Sequence, residues 1–391
     1  MNVDKLFYEN LFEGLFSDPC QVEFWDGDIK QFGEGDTKFR IILREPIPKS
    51  EIIGDSSIAF GEAYMQDKIE IKGSVRDVIE SLYKNQDSFL HQNSAYLKLA
   101  KFIFNGVRKS KENAQYHYDI GNDFYRLWLD DTLTYSCAYF KSPEDTLFQA
   151  QKDKVDHILR KLNLQEGQRL LDIGCGWGEL IFAAAQKCHV KALGITLSQE
   201  QYKQVRSRIE HEHLKDWVDV QLLDYREIKD QVFDRVVSVG MLEHVGKEHL
   251  GEYFATVQKL LVDGGISLLH SITGRDEKGT NSWIHKYIFP GGYIPMVSEL
   301  IRQMESHDFY LLDVESLRSH YTRTLEHWAH NFEQALPKIR ESKDESFIRM
   351  WRLYLQSFAA SFNCGNIDLH QFLFSKGPNN HLPWTRDYIY N

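Results

Sequence analysis

LLDIGCGWGEL, Leu170 to Leu180, decides how this 391-residue sequence is read. An apolar run (Leu170, Leu171, Ile173) enters a loop with glycine at Gly174, Gly176 and Gly178, and helix-compatible residues follow from Glu179 to Gln186. Strand, glycine turn and helix is the layout of the first unit of a nucleotide-binding α/β sheet. Glycine is needed where the backbone must approach a ligand closely or turn with positive φ. The helix start adds free N–H groups and a positive dipole end, which suit a phosphate or an amino-acid carboxylate. Asp172, at the strand's end, asks for a ligand with hydroxyl or amino donors. The spacing is G-x-G-x-G, not the G-x-G-x-x-G of dinucleotide sites. These features point to S-adenosylmethionine; the plain alternative is a glycine turn that holds no ligand.

Downstream, strand and helix alternate. VKALGITL precedes a helix opened by Ser198 with Gln201 three residues on, the spacing of a capping box. DVQLLDYREI ends a strand at Asp224, and FDRVVSVGMLEHVG gives a fourth strand followed by Glu243 and His244. A helix from His249 to Leu261 leads through Asp263-Gly264-Gly265 to ISLLHSI. Such alternation predicts a parallel sheet with right-handed crossovers and ligands at the carboxyl ends of its strands. Asp172, Thr196, Asp224, Glu243 and His270 all lie at or just beyond such ends, so they should gather on one side. Residues 279–298, apolar around Pro290-Gly291-Gly292, read as a lid, a substrate channel or a packed helical hairpin. FYLLDVESL reads as a further strand. HYTRTLEHWAHNFEQAL and FIRMWRLYLQSFAASF read as helices, and the tail shows no clear period beyond DLHQFLF.

Upstream, the helix Leu147 to Leu162 leads into the glycine loop. Before it, QYHYDIGNDFYRLWLDDTLTYSCAYF (115–140) is dense in aromatic residues, either core or the wall of a pocket for a cation. KLAKFIFNGVRKSKENA, with Lys98, Lys101, Arg108, Lys109 and Lys111 beside Leu99, Phe102, Ile103 and Phe104, is either a membrane-surface segment or an ordinary linker helix. Residues 1–95 read as a small α+β accessory domain, 96–115 as the linker and 116–391 as the main domain. In the first of these, DKLFYENLFEGLF has helical spacing, QVEFWDG, KFRIILREP and SIAFGEAYMQDKIEIKG read as strand-like pieces, and Ser74 caps a helix through Tyr83.

Composition narrows the functional class. The net charge of −11 argues against general nucleic-acid binding, which needs a basic surface. The five cysteines are scattered, with no C-x-x-C, which fits a reducing compartment and argues against zinc. H-x-x-x-E-H at His244, Glu248 and His249 is one residue too long for an inverted zincin motif, so no metal is expected. No apolar run reaches the ~18 residues of a membrane span, and the N-terminus lacks the pattern of a signal peptide. Glu243 and His270 form a candidate acid–base pair, against the plainer reading of a capping Glu and a core His. Cys137 lacks an evident adjacent base and reads as packed rather than nucleophilic.

YHYDIGNDFY, TYSCAYF, LLDIGCGWG, GITLSQEQ, MLEHVG, LLHSI, FPGG and HYTRTLEHW, in this order, resemble the cyclopropane-fatty-acyl-phospholipid synthases and mycolic acid cyclopropane synthases over residues about 112 to 391. The N-terminal unit resembles that of the longer bacterial phospholipid enzymes. The resemblance implies a doubly wound class I methyltransferase sheet. It implies transfer of a methylene from S-adenosylmethionine to the cis double bond of an unsaturated phospholipid acyl chain, through a carbocation deprotonated by bound bicarbonate. The site it implies for that chemistry is Cys137, Glu243, His270, Ile272 and Tyr321, with Cys137 and Ile272 acting through backbone groups. Donor contacts would be Tyr118, Tyr135, Ser136, Asp172, Gly174, Gly176, Trp177, Thr196 and Gln201, with Tyr225 and Arg226 at the adenine side, where relatives often carry Trp and an acid. The implied setting is cytoplasmic and peripheral to the inner face of the membrane, with a homodimer possible through the N-terminal domain. The rival activity is methylation of an amine, or a methyl branch left unclosed on a lipid.

Overall fold

The computed structural model describes residues 3–85, 121–276 and 281–390. The proposed linker at 96–115 and its basic–apolar stretch lie outside these residues. The chain forms two compact units. Over the described residues the first takes 3–85, 281–290 and 325–366, and the second takes 121–276, 291–324 and 367–390. The first unit therefore draws on two later segments as well as the N-terminal stretch.

In the first unit, β1 (Cys20–Glu23) and β2 (Ile29–Phe32) form an antiparallel hairpin, β3 (Phe39–Leu43) lies parallel to β1, and β4 (Ile69–Lys72) is antiparallel to β3. β3 buries alternate residues, Phe39, Ile41 and Leu43, as a sheet with one covered face requires. That face packs with Tyr8 and Phe12 of the helix Val3–Glu13 in one core. The stretch Ser56–Met65, expected to be strand-like, is a helix. Asp55 caps it by accepting from the Ile58 amide at 3.0 Å, and its buried residues are the small Ala59, Gly61 and Ala63 with a single aromatic, Tyr64. A face of that kind gives almost no apolar periodicity to read. The expected helix after Ser74 is present as Val75–Lys84, and Ser74 Oγ accepts from Asp77. In the helix Glu345–Asn363, Arg349 donates to the Tyr64 and Ile69 carbonyls, tying this later segment to the N-terminal one.

The second unit holds a seven-stranded sheet. Its strands are β5 (Arg169–Ile173), β6 (Lys191–Thr196), β7 (Val218–Leu222), β8 (Phe233–Val239), β9 (Leu261–Gly274), β10 (Phe309–Ser316) and β11 (Ile367–Lys376), in the order β10-β11-β9-β8-β5-β6-β7. β5 pairs in parallel with β6 on one side and β8 on the other, so the winding direction reverses at β5. β5 is the strand that runs into the glycine loop, so the loop sits at the switch point where doubly wound sheets bind ligands. β11 inserts antiparallel between β9 and β10. The helices Leu147–Leu162, Glu179–Cys188 and Gln199–His211 share one buried core with one face of the sheet, and Leu250–Leu260 shares another with the opposite face. The strand starting at Leu261 absorbs Asp263–Gly265, which the sequence reads as the connection from the preceding helix.

Candidate functional site

The glycine loop is held open by its own backbone. The amides of Gly174 and Cys175 both donate to the Ile195 carbonyl of β6 at 3.0 Å, and Gly174, Gly176 and Gly178 have φ of +85°, +56° and +90°. A Cβ on Gly174 would lie 3.0 Å from the Met241 side chain, whereas one on Gly176 would meet nothing within 4 Å. Gly178 precedes the helix Glu179–Cys188, whose N-terminal amides point back at the loop.

A cavity opens over this loop. Among the expected donor-binding residues, Tyr135, Ser136, Asp172, Gly174, Gly176, Trp177, Thr196, Gln201, Tyr225 and Arg226 all line it; Tyr118 lies outside the described residues. Asp172 is buried with Oδ1 lacking a hydrogen-bond partner, and burial pushes its carboxyl up to about 7 against the opposing charge of Lys154. Thr196 Oγ1 donates to Gln201 Oε1 at 2.7 Å and accepts from the Ser198 amide at 3.1 Å. Ser198 accepts from the Gln201 amide, so only the Ser half of the expected capping box forms. The carboxamide of Gln201 is instead anchored at the end of β6. Arg226 makes two bonds to Asp224, at 2.8 and 2.7 Å.

Among the described residues the aromatic stretch is partly core and partly lining of the cavity. Tyr125 and Trp128 are fully buried, while Tyr135 and Trp177 reach the cavity. Tyr125 joins them, with ring centroids 5.4 Å from both Tyr135 and Trp177. The indole of Trp177 donates to Asn122 at 2.9 Å.

The other five expected residues do not line this cavity; a chain of contacts, largely through the backbone, links them. The Cys137 thiol lies 3.9 Å from the Leu317 carbonyl, and that carbonyl accepts from the Tyr321 amide. Leu317 donates to the Leu369 carbonyl, and Leu369 is the register partner of Ile272. The Ile272 amide donates to Glu243 Oε1 at 2.7 Å. His270, two residues back on β9, accepts the Gly240 amide on its carbonyl, and Gly240 lines the cavity. Cys137 is wholly buried, and burial drives its thiol far above the ordinary range, which disfavours the thiolate.

Two buried polar atoms in this group stand without partners, Glu243 Oε2 and His270 Nε2. Ser271, whose hydroxyl donates to the Ile272 carbonyl, lies near the same carboxylate. Burial raises the Glu243 carboxyl and holds His270 well below its usual range, hence neutral. Gln371 Nε2 lies 3.2 Å from His270 Nδ1; an amide N–H donated there would leave the ring proton on Nε2. A buried donor and a buried acceptor thus await a partner. Among the described residues no cluster of His, Cys, Asp and Glu suits a metal ion, and no helix is long and apolar enough to cross a membrane.

Lys154 and Met241, which carry no role in the sequence analysis, also line the cavity, as does His244, read there only as part of a discounted metal pattern. Lys154 had a signal. It falls on the buried face of Leu147–Leu162 with Ala150, Ile158 and Leu162, where a charge is out of place.

Comparison with known proteins agrees with this arrangement. Residues 106–372 match the family described as Mycolic acid cyclopropane synthetase, and residues 7–94 match a domain of unknown function. The chain is 39% identical to a probable fatty acid methyltransferase of Pseudomonas putida, covering 95% of this chain and 96% of that protein. It is 37% identical to cyclopropane-fatty-acyl-phospholipid synthase of Escherichia coli K12, covering 88% and 90%. The structure of the cyclopropane synthase MmaA2 from Mycobacterium tuberculosis superposes with a TM-score of 0.66 at 35% identity, covering 68% of this chain and 98% of that one. The mycolic acid cyclopropane synthase CmaA1 complexed with SAH and CTAB gives 0.65 at 36% identity, covering 68% and 98%. The fold is that of the class I S-adenosylmethionine-dependent methyltransferases, and the chain belongs to the mycolic acid cyclopropane synthetase family.

Proposed function

We propose that this protein transfers a methylene from S-adenosylmethionine to the cis double bond of unsaturated acyl chains in membrane phospholipids, forming a cyclopropane ring. The observation that carries the reading is the buried, partnerless pair Glu243 Oε2 and His270 Nε2 beside the glycine-loop cavity. Amine methylation needs no such pair held away from water. The E. coli relative's name, with its phospholipid acyl chain, supports the substrate class.

The protein's part divides between two groups of residues. Tyr135, Ser136, Asp172, Gly174, Gly176, Trp177, Thr196, Gln201, Tyr225 and Arg226 bind and orient the donor, whose sulfonium methyl is the electrophile when bound. Cys137, Glu243, His270, Ile272 and Tyr321 form the second group. A bicarbonate ion has a hydroxyl to donate to Glu243 and oxygens to accept from His270, so the unpartnered atoms fit it; when bound it would supply the base for the proton lost from the transferred methyl. Glu243, fixed by the Ile272 amide, holds its free oxygen in one position, and neutral His270 offers N–H without a competing positive charge. The Tyr321 ring stabilises positive charge on the acyl chain through its π face. Burial of Cys137, His270 and the Glu243 Oε2 atom keeps water from that part of the group, where it would otherwise capture a carbocation as an alcohol.

The protein acts in the cytoplasm, peripheral to the inner face of the membrane, with residues 98–111 as a docking stretch and the first unit as a dimer contact. A second reading, a methyl branch left without ring closure, is favoured by the P. putida relative, whose name is fatty acid methyltransferase. The test is incubation with S-adenosylmethionine and vesicles of monounsaturated phospholipid. Acyl chains heavier by one methylene that resist hydrogenation support the ring; unchanged lipid would sink the reading.

A further inference from the structure

Lys154 is buried to 3% exposure in the wall of the donor cavity, yet among the described residues it forms no ion pair with a carboxylate. Among the described residues its one side-chain hydrogen bond is to Ser136 Oγ at 3.1 Å. A buried ammonium with a single neutral acceptor is costly and needs a further anion or dipole to offset its desolvation. The carboxylates Asp130, Asp172 and Glu179 act on it only through the field. Ser136 and Asp172 line the same cavity, beside the loop whose helix end also favours negative charge. S-Adenosylmethionine carries one anionic group, its amino-acid carboxylate, and an ammonium that Asp172 suits. A lysine and an aspartate in one wall match that zwitterion.

We propose that Lys154 is the counter-ion for the carboxylate of the donor's amino-acid end, held in place by Ser136; this rests on the reading of the cavity as the S-adenosylmethionine site. Burial pushes the Lys154 ammonium down to about 8, as expected for a cation whose partner arrives with the ligand. Lys154 binds and positions the donor and takes no part in the bond changes.

The full chain is titrated by calorimetry with S-adenosylhomocysteine, with its decarboxylated analogue and with 5′-methylthioadenosine, which lacks the amino-acid end. Wild type should bind S-adenosylhomocysteine at least about tenfold more tightly than the decarboxylated analogue, the scale of a charge-assisted hydrogen bond. Lys154→Met should lose that preference while binding methylthioadenosine within about twofold of wild type, which also shows that the cavity is intact. Equal wild-type affinity for the two amino-acid ligands, or equal losses for all three in the variant, would overturn the proposal without touching the donor site. Should Lys154→Met not fold, the wild-type ratio together with Lys154→Gln decides by the same criteria. Wild type that binds none of the three would overturn the donor assignment itself, and the counter-ion with it.

Discussion

Glu243 Oε1 accepts a hydrogen bond from the Ile272 amide at 2.7 Å, while Oε2 of the same carboxylate is buried without a partner. One oxygen fixes the side chain to β9 and leaves the other as a buried acceptor. Glu243→Gln keeps size and can keep the bond to Ile272, but it swaps a free acceptor for a donor or removes the charge. Turnover should fall by about 10²-fold or more, the scale of a lost acid–base group. Donor affinity should stay within about twofold, since Glu243 does not line the donor cavity. Steady-state rates and calorimetry on the variant check the split, and equal losses in both would contradict it.

Gly176 separates backbone need from ligand need. A Cβ there meets no protein atom within 4 Å, yet φ is +56°. Gly176→Ala should therefore cost only about 1–2 kcal/mol of stability, the price of a left-handed alanine. Donor affinity should fall more than about tenfold if the loop backbone touches the ligand. Thermal melts and donor titration on the same sample test both halves.

Glu315 sits against His157 at 2.6 Å and Lys161 at 2.5 Å. Burial alone would raise its carboxyl, but the His157 bond and the Lys161 charge hold it at about 2. The unfolded value is near ~4.3. Because the folded value is the lower one, the carboxylate's stabilisation is fully present above about pH 5 and disappears as the pH falls toward 2. Glu315→Gln should lower the urea midpoint at pH 6, and the gap to wild type should narrow between pH 5 and pH 3. A gap that stays constant across that range would refute the ionic account.

The first unit includes residues 281–290, and Gly61 tests that membership. A Cβ on Gly61 would lie 2.3 Å from Trp283 Cδ1. Gly61→Ala should destabilise by about 1–3 kcal/mol through overpacking. Gly14→Ala, whose Cβ meets nothing within 4 Å, should leave the melting temperature unchanged. Matching melts for the two variants would count against the Trp283 contact.

Much of the second unit was legible because its signals are local. The glycine loop, the strand ends and the helix Leu147–Leu162 each announce themselves within a dozen residues, and ten of the expected donor residues line one cavity. β11 was not legible as the strand that closes the sheet. It is buried on both faces from Gln371 to Ser375, so it shows no alternation. The helix Ser56–Met65 hid behind its small residues. The return of 281–290 and 325–366 to the first unit depends on contacts hundreds of residues apart, which no periodicity encodes. Within the site, Glu243 and His270 could be placed at strand ends, but their two unpartnered atoms come from the pairing of β9 with β11 and from the turn after β8. Lys154 was visible as a charge on an apolar face and lacked only its surroundings.

Ring closure requires the transferred methyl to lose a proton, and a donor labelled with deuterium on that methyl reads this loss directly. The protein is incubated with the trideuterated donor and monounsaturated phospholipid vesicles, and the acyl products are analysed by mass spectrometry. Two deuterium atoms retained on the added carbon, in a chain that no longer hydrogenates as an alkene, is the predicted result. Retention of all three, as a methyl branch, would contradict the central claim.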